Sequence, residues 1–136
     1  MKLNIIPLKD TDYEDILCKW WIDWKWVPPS RDFLPEDGAG GFIVYDADTP
    51  ICAGFMYTTN SKAVWCDWII SNRFYLDRQN RKDALELLIK TISDKAQGLG
   101  KKYIYALIKN QPLINVYKKV GFIEGSTYTQ EMIKII

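Results

Sequence analysis

The chain has 136 residues, of which 48% are hydrophobic and 14% aromatic, and this composition predicts a single domain over residues 1–136 with a buried core. Lysine and arginine total 18 against 17 aspartates and glutamates, so the net charge of +1 leaves no broad basic surface for wrapping nucleic acid or docking on acidic lipid. The sequence contains no histidine, which excludes Ser-His-Asp and Cys-His catalytic groups and histidine-bound metals within the chain. Any chemistry must therefore use carboxylates, tyrosine, lysine, cysteine or backbone groups.

Apolar runs and cysteines give two further expectations. No apolar run is long enough to span a bilayer, and residues 1–10 lack the apolar core of a signal peptide, so we expect a soluble cytoplasmic protein with no membrane partner. Cys18, Cys52 and Cys66 show no paired spacing typical of a disulfide framework or a zinc site. We therefore predict buried free thiols and no bound metal.

The first 41 residues predict a strand, a helix and a loop. Residues 2–8, KLNIIPL, are typical of a short strand. Residues 10–24 begin with acidic side chains and carry apolar ones at helical spacing, which predicts an amphipathic helix. Residues 25–41 contain three prolines and three glycines, which predict a long surface loop with at most one helical turn. Loops of this length are often functional.

The remaining residues alternate between β-rich runs and helical patterns. Two strands within 41–60 and a third over 62–72 predict an antiparallel meander. The later elements are a helix over 81–100 that stops near Gly98, a strand over 101–109, a helix over 110–120, and two short strands within 121–136. This order predicts a mixed sheet with helices packed on it.

The residues NQPLINVYKKVGF, 110–122, resemble the C-terminal motif of the GNAT superfamily of N-acetyltransferases. In that motif an asparagine is followed seven residues later by tyrosine, and then by lysine, an apolar residue, glycine and phenylalanine. The matching residues are Asn110, Tyr117, Lys119, Val120, Gly121 and Phe122. The first strand and helix and the long helix also lie where the family has them, so the resemblance covers nearly the whole chain.

The resemblance implies an α/β (α+β) fold with a mixed, mostly antiparallel central sheet flanked by helices and splayed between the fourth and fifth strands. It also implies that acetyl-CoA binds in that splay as co-substrate and that its pyrophosphate meets the start of the long helix. The residues implied in cofactor binding are Trp68, Ile69, Ile70, Arg78, Arg81, Lys82, Asp83, Asn110 and Tyr117. Among them, the backbone N–H groups near Trp68 to Ile70 are expected to stabilise the developing oxyanion, and Tyr117 to protonate the leaving thiolate.

The pyrophosphate loop departs from the family pattern. The family places Arg or Gln, two residues, Gly, one residue and Gly or Ala here, whereas residues 78–85, RQNRKDAL, keep Arg78 but contain no glycine. If Asn80 caps the helix, Asp83 satisfies the capping geometry and Arg81 and Lys82 face a diphosphate at the first two helical positions. The alternative is an ordinary solvated helix start with no ligand.

Asp67 is the only carboxylate in the β-rich run of residues 62–72. Strand alternation predicts Trp65, Asp67 and Ile69 on one face and Cys66, Trp68 and Ile70 on the other. A carboxylate between tryptophans is a candidate general base for the acceptor amine, because an apolar environment raises its pKa. A structural, hydrogen-bonded aspartate and deprotonation through water are the alternatives.

The tryptophan-rich segment and the loop after it predict an acceptor pocket. Helical spacing places Trp20, Trp21 and Trp24 mostly in the core, and Trp26 falls in the loop that borders the acceptor site in the family. The predicted pocket residues are Trp24, Trp26, Arg31 and Phe33, with Asp32 as a further polar selector. Cys66 as an acyl-carrying nucleophile is disfavoured, since no histidine activates it.

These patterns lead to one principal hypothesis and two alternatives. The first is direct transfer of acetyl from acetyl-CoA to a primary amine on a small molecule or a protein, by a monomer or homodimer. By analogy with compact, glycine-poor relatives on phages and mobile elements, the acceptor could be a host protein or a modified base. The second is an inactive GNAT-fold binding protein, and the third is a nucleic-acid binder that uses tryptophan stacking, which the near-neutral charge disfavours.

Overall fold

The computed structural model describes residues 3–127 and 130–136. Its described strands form one sheet in the order β1-β2-β3-β4-β5, with neighbours antiparallel except for the parallel pair β4 and β5. The strands are β1 Leu3–Pro7, β2 Gly41–Asp46, β3 Thr49–Thr58, β4 Ala63–Ser71 and β5 Tyr103–Tyr105. The predicted mostly antiparallel sheet flanked by helices is confirmed.

The helices lie between the strands as the sequence predicts. One turn of π-helix, Tyr13–Leu17, leads directly into the short helix α1, Cys18–Asp23. The long loop carries two 3-10 turns, Arg31–Phe33 and Pro35–Gly38. The long helix α2 is Arg78–Gly98, and α3 is Gln111–Val120. None of the described helices is long and apolar enough to cross a membrane.

The core has one hydrophobic cluster on each face of the sheet. On one face, the π-helical turn buries Leu17 and α1 buries Trp20 and Trp21, against sheet residues that include Phe55 and Ile70. On the other face, α2 and α3 bury their apolar stripes against the sheet; the fully buried members include Leu88, Ile89, Ile92, Val44 and Cys66. The prediction that Trp20 and Trp21 are core residues is therefore confirmed.

The predicted C-terminal strands are absent from the part of the chain that the structure describes. Residues 122–127 and 130–136 have no regular secondary structure, and Tyr128 and Thr129 lie outside the described residues. The predicted strand over 101–109 is reduced to Tyr103–Tyr105. A strand needs a neighbouring strand that pairs with its backbone N–H and C=O groups. An edge strand as short as β5 offers few such groups to the C-terminal residues.

The long helix begins before the predicted cap. Asp77, not Asn80, is the N-cap, and its carboxylate accepts a hydrogen bond of 3.0 Å from the Asn80 backbone N–H. Both residue types cap helices well, and the cap at Asp77 gains a further turn for α2. Arg78 is therefore the first helical residue, and Arg81 and Lys82 lie in the following turn rather than at the first two positions.

Candidate active site

Strand β4 is interrupted by a β-bulge. Ala53 pairs with Ile70 and Phe55 pairs with Asp67, so the single residue between them on β3, Gly54, lies opposite Trp68 and Ile69. Trp68 has φ of +57°, in the left-handed region that a bulky residue rarely occupies. Bulges bend a strand and redirect its side chains, and they are common beside active sites.

The bulge overturns the predicted strand alternation. Cys66 and Ile69 pack with the α2 cluster, whereas Trp68 and Ile70 pack with the α1 cluster. The extra residue shifts the alternation, so the predicted grouping of Cys66, Trp68 and Ile70 on one face is wrong. Gly54 leaves room for this arrangement, since a Cβ there would lie 2.4 Å from the Ile69 Cδ1 atom.

Asp67 stands immediately before the bulge. Its carboxylate accepts a hydrogen bond of 2.8 Å from the Trp68 backbone N–H. Burial raises the pKa of Asp67 above its usual value, the bond from Trp68 opposes this rise, and the charge of Glu131 adds to it. The ion pairs within the described residues do not include Asp67. It is a partly buried carboxylate without a cationic partner in that part of the chain.

Aromatic side chains surround Asp67 on the loop side. The Tyr57 hydroxyl donates a hydrogen bond of 2.9 Å to the Phe33 carbonyl oxygen. The Phe33 and Trp68 rings meet edge to face with centroids 5.9 Å apart. Burial, together with the charge of Asp67, raises the pKa of Tyr57 to about 12. The 3-10 turn that carries Phe33 is thus held against the bulge.

A second aromatic pair continues this surface toward β5. Trp65 is the register partner of Tyr57 and lies on the same face of the sheet. The Trp65 and Tyr105 rings are tilted against each other, with centroids 4.4 Å apart. We name the combined surface the aromatic wall; its members are Phe33, Tyr57, Trp65, Trp68 and Tyr105.

The sheet opens between β4 and β5 beside this wall. The two strands pair only over Ala63–Trp65 and Tyr103–Tyr105. Beyond that point, no described strand pairs with residues 66–70 of β4 on the β5 side. The predicted splay between the fourth and fifth strands is therefore present, and it begins next to Asp67.

Tyr117 approaches β4 from the opposite face. It is 2% exposed, and its hydroxyl lies 3.4 Å from the Cys66 sulfur. Burial strongly raises the pKa of the Tyr117 phenol, and burial also raises the pKa of the Cys66 thiol to about 12. Both groups therefore hold their protons at neutral pH, which disfavours Cys66 as a nucleophile.

The cysteines and the start of α3 follow the sequence predictions in most respects. All three cysteines are free; Cys52 and Cys66 are buried, whereas Cys18 is only half-buried. Asn110 caps α3, because its side-chain oxygen accepts a hydrogen bond of 3.0 Å from the Leu113 backbone N–H. Among the described residues, no cluster of cysteines and carboxylates could hold a metal ion.

The cations at the start of α2 differ in their surroundings. Arg81 turns inward, where its Nη2 atom donates a 3.0 Å hydrogen bond to the Asn72 carbonyl oxygen and another to that of Tyr75. Its Nε atom is buried without a hydrogen-bond partner among the described residues. Arg78 and Lys82 are exposed. Arg81 therefore shapes the loop that leads into the helix, and Arg78 and Lys82 remain accessible.

Asp83 lies one turn further along α2. It accepts a hydrogen bond of 3.0 Å from the Gln79 side-chain amide, at i,i+4 spacing on the helix surface. The predicted capping role for Asp83 is wrong, because Asp77 already caps the helix.

The structure does not bring the four predicted pocket residues together. The Trp24 indole N–H donates a 2.8 Å hydrogen bond to the Ser71 carbonyl oxygen, and its ring stacks on Trp26 at 5.8 Å. Arg31 donates to the Asp10 carbonyl oxygen at 2.8 Å and lies 4.9 Å from the centroid of the Tyr13 ring. Phe33 contacts the bulge through the ring of Trp68.

Tyr57 and Tyr105 belong to the site but are not predicted from the sequence. Both lie on strands that the β-rich patterns predict, so the information that the sequence lacks is the register. Tyr57 reaches Trp65 across an antiparallel pair, and Tyr105 reaches it across the short parallel pair. Nothing local in the sequence specifies either pairing.

No family model and no curated protein matches this sequence. Solved structures match the fold of the chain. The chain is similar to N-acetylglutamate synthase from Neisseria gonorrhoeae complexed with coenzyme A and N-acetyl-glutamate, with a TM-score of 0.72 and 17% identity. The match covers 93% of this chain and 29% of that chain.

Two smaller acetyltransferases are matched over most of their length. Glucosamine-6-phosphate N-acetyltransferase from Arabidopsis thaliana gives a TM-score of 0.68 and 12% identity, covering 98% of this chain and 100% of that one. The ribosomal-protein-S18-alanine N-acetyltransferase from Escherichia coli gives a TM-score of 0.65 and 18% identity, covering 92% of this chain and 80% of that one. At these identities the likeness establishes the fold.

Proposed function

Because the chain has the fold of the GNAT acetyltransferases, we propose that it transfers acetyl directly from acetyl-CoA to a primary amine. One observation carries the proposal: the bulge in β4 sets a partly buried carboxylate, Asp67, beside the opening between β4 and β5. A proton acceptor and an open strand edge are what direct acetyl transfer to an amine requires of this fold.

The backbone and charges beside the opening fit acetyl-CoA. The β5-facing edge of residues 66–70 offers N–H and C=O groups that can pair with the amides of pantetheine. The first helical N–H groups of α2, those of Arg78 and Gln79, have no partner within the helix and favour an anion. The exposed cations Arg78 and Lys82 add charge that compensates for the missing glycines. We assign Arg81 no phosphate contact, because its guanidinium is bonded to loop carbonyls.

Bound acetyl-CoA would supply an acetyl thioester, whose carbonyl carbon gains the C–N bond to the amine as its C–S bond breaks. Asp67 takes the proton that the acceptor ammonium must lose before its nitrogen can attack. A backbone N–H group of the bulge stabilises the negative charge that develops on the carbonyl oxygen. The Trp68 N–H is already used by Asp67, and Ile70 pairs with Ala53 on β3, so we assign this role to Ile69.

Tyr117 is proposed to donate a hydrogen bond to the sulfur of the leaving thiolate, which becomes the thiol of CoA by taking the second proton that the attacking nitrogen loses as the amide forms. Since burial raises its pKa, the phenol keeps its proton and serves as a donor. We expect Tyr117→Phe to lower kcat by about 10- to 100-fold, the scale of one lost hydrogen bond to a charged group. The ring remains to contact Phe122, whose centroid is 4.9 Å away. Steady-state kinetics at saturating acetyl-CoA measure this effect, and an unchanged kcat would assign Tyr117 to packing alone.

Calorimetric titration with acetyl-CoA tests the proposed function itself. We expect saturable binding that weakens about tenfold in Arg78→Ala and in Lys82→Ala, because each loses a charged contact to phosphate. Lys95→Ala, at the other end of α2, is the matched control and should bind as the wild type does. Desulfo-CoA and 3′-dephospho-CoA separate the thioester and ribose-phosphate contributions.

Absence of binding at millimolar acetyl-CoA would overturn the proposal. The chain would then fit the second candidate, a GNAT-fold binding protein without catalysis. The glycine-free loop between β4 and α2 favours that candidate, since glycines normally let the backbone approach a phosphate.

A further inference from the structure

The environment of Asp67 combines negative charge with aromatic surface. Its carboxylate is partly buried, its pKa is raised by burial, and the ion pairs of the described residues leave it without a cation. A partly buried carboxylate is stabilised by a cation that enters its site, and an ammonium group can provide both charge and hydrogen-bond donors. This describes where the amine of an acceptor would bind.

The aromatic wall remains accessible beside this carboxylate. Phe33 is 47% exposed and Tyr105 is 40% exposed, while Tyr57, Trp65 and Trp68 are partly buried. Flat apolar groups gain contact area on such surfaces, and aromatic faces also attract ammonium groups. The wall therefore favours a cation joined to a ring over a strongly hydrated polar acceptor.

The same environment disfavours acceptors that carry an anion. Asp67 and Glu131 both contribute negative charge there. Arg31, two residues before Phe33, is directed to the Asp10 carbonyl oxygen and the Tyr13 ring instead. The charges of Asp67 and Glu131 would repel a phosphate or carboxylate near the acceptor amine, and Arg31 would not pair with it.

We propose that the acceptor is an arylalkylamine, a primary ammonium group carried on a short alkyl chain from an aromatic ring, without a phosphate or carboxylate. Asp67 holds the ammonium group and the aromatic wall holds the ring. This assignment rests on the proposed function, because it names the substrate class of the same site.

A matched trio of ligands tests the assignment by calorimetry, with and without CoA. Tyramine carries the ring and the ammonium group, tyrosine adds a carboxylate, and 4-ethylphenol lacks the amine. We expect tyramine to bind at least tenfold more tightly than either of the others. Asp67→Asn should abolish the advantage of tyramine over 4-ethylphenol, whereas Trp65→Leu should weaken both, and the exposed Asp48→Asn is the control that changes neither.

Turnover then separates failure of the inference from failure of the proposed function. We expect acetyl-CoA to acetylate tyramine and tryptamine with kcat/KM at least 100-fold above that for glucosamine 6-phosphate, glutamate or an alanine-terminated peptide. Preferred turnover of one of those three would overturn the inference and leave the acetyltransferase proposal standing. Tyramine binding that depends on Asp67, without any binding of acetyl-CoA, would overturn the proposed function and support an amine-binding site. Binding of neither ligand would overturn both.

Discussion

Replacing Asp67 with asparagine is expected to slow acetyl transfer by about 100- to 10,000-fold, the range that a positioned general base contributes. The amide keeps the size of the side chain and an oxygen that can accept the Trp68 N–H bond of 2.8 Å, so the bulge should persist. It cannot take a proton from the acceptor. Acetyl-CoA binding, which uses β4 backbone and the start of α2, should therefore stay within about twofold of the wild type, well below the tenfold that a lost charged contact costs.

The pH dependence of the wild-type enzyme provides a second measurement of the same role. A general base must be deprotonated, so kcat/KM should fall as the pH is lowered through the pKa of Asp67. Burial raises that pKa above the ordinary value of 3.8, so the fall begins at a higher pH than an unperturbed aspartate would give. The acidic limb should be absent from the residual activity of Asp67→Asn. A variant with nearly full activity and an unchanged pH profile would show that the acceptor loses its proton through water instead.

Stability should respond in the opposite direction to activity. Because the pKa of Asp67 is raised in the folded protein, the folded state binds its proton more tightly than the unfolded chain does. The stability that this difference in the pKa of Asp67 contributes is present at low pH, and it is lost as the pH rises through the pKa of the folded state. Removing the charge with asparagine should thus leave the free energy of unfolding at neutral pH equal or higher, so lost activity cannot be attributed to unfolding.

The elements that the sequence predicts well are those set by local chemistry. The apolar spacing before Gly98 predicts α2, and Asn110 caps α3 as its position before Pro112 indicates. The sequence predicts the cap of α2 at Asn80 instead of Asp77, because both residue types are good caps and the choice between them depends on the path of the loop that follows β4. Arg81 holds that loop in place through hydrogen bonds to the carbonyl oxygens of Asn72 and Tyr75, and no local sequence pattern predicts these bonds.

The site itself was only half predictable, because its geometry depends on pairing between distant residues. Asp67 stands out as a carboxylate among tryptophans, and this signal is local. The bulge that places Trp68 beside it on the same face depends on Gly54 lying opposite, fourteen residues earlier in the chain. Period-two alternation assumes an unbroken ladder, so it assigned the wrong face to Trp68.

The packing around the bulge makes a prediction about Gly41, which pairs with Phe55 on the neighbouring strand. A Cβ atom at residue 41 would lie 1.9 Å from the Gly54 carbonyl oxygen and 2.9 Å from the Phe55 Cα atom. Both contacts are with backbone, so no side chain can move aside and β2 and β3 must separate. We expect Gly41→Ala to reduce the free energy of unfolding by about 3 kcal/mol, the upper end of the usual cost of overpacking.

Urea denaturation of Gly41→Ala and Gly98→Ala compares the two glycines directly. Gly98 ends α2, and a Cβ added there would meet open space, so alanine should stabilise the protein by about 0.5–1 kcal/mol. The same substitution should therefore lower the free energy of unfolding at residue 41, where packing is close, and raise it at residue 98, where alanine restricts the unfolded backbone. A Cβ at residue 41 would displace Gly54, which lies opposite Trp68 and Ile69 of the bulge. Gly41→Ala should therefore also reduce acetyl transfer under conditions where the variant stays folded. A wild-type urea midpoint for Gly41→Ala would mean that β2 and β3 do not approach this closely, and the packing that supports the bulge would have to be different.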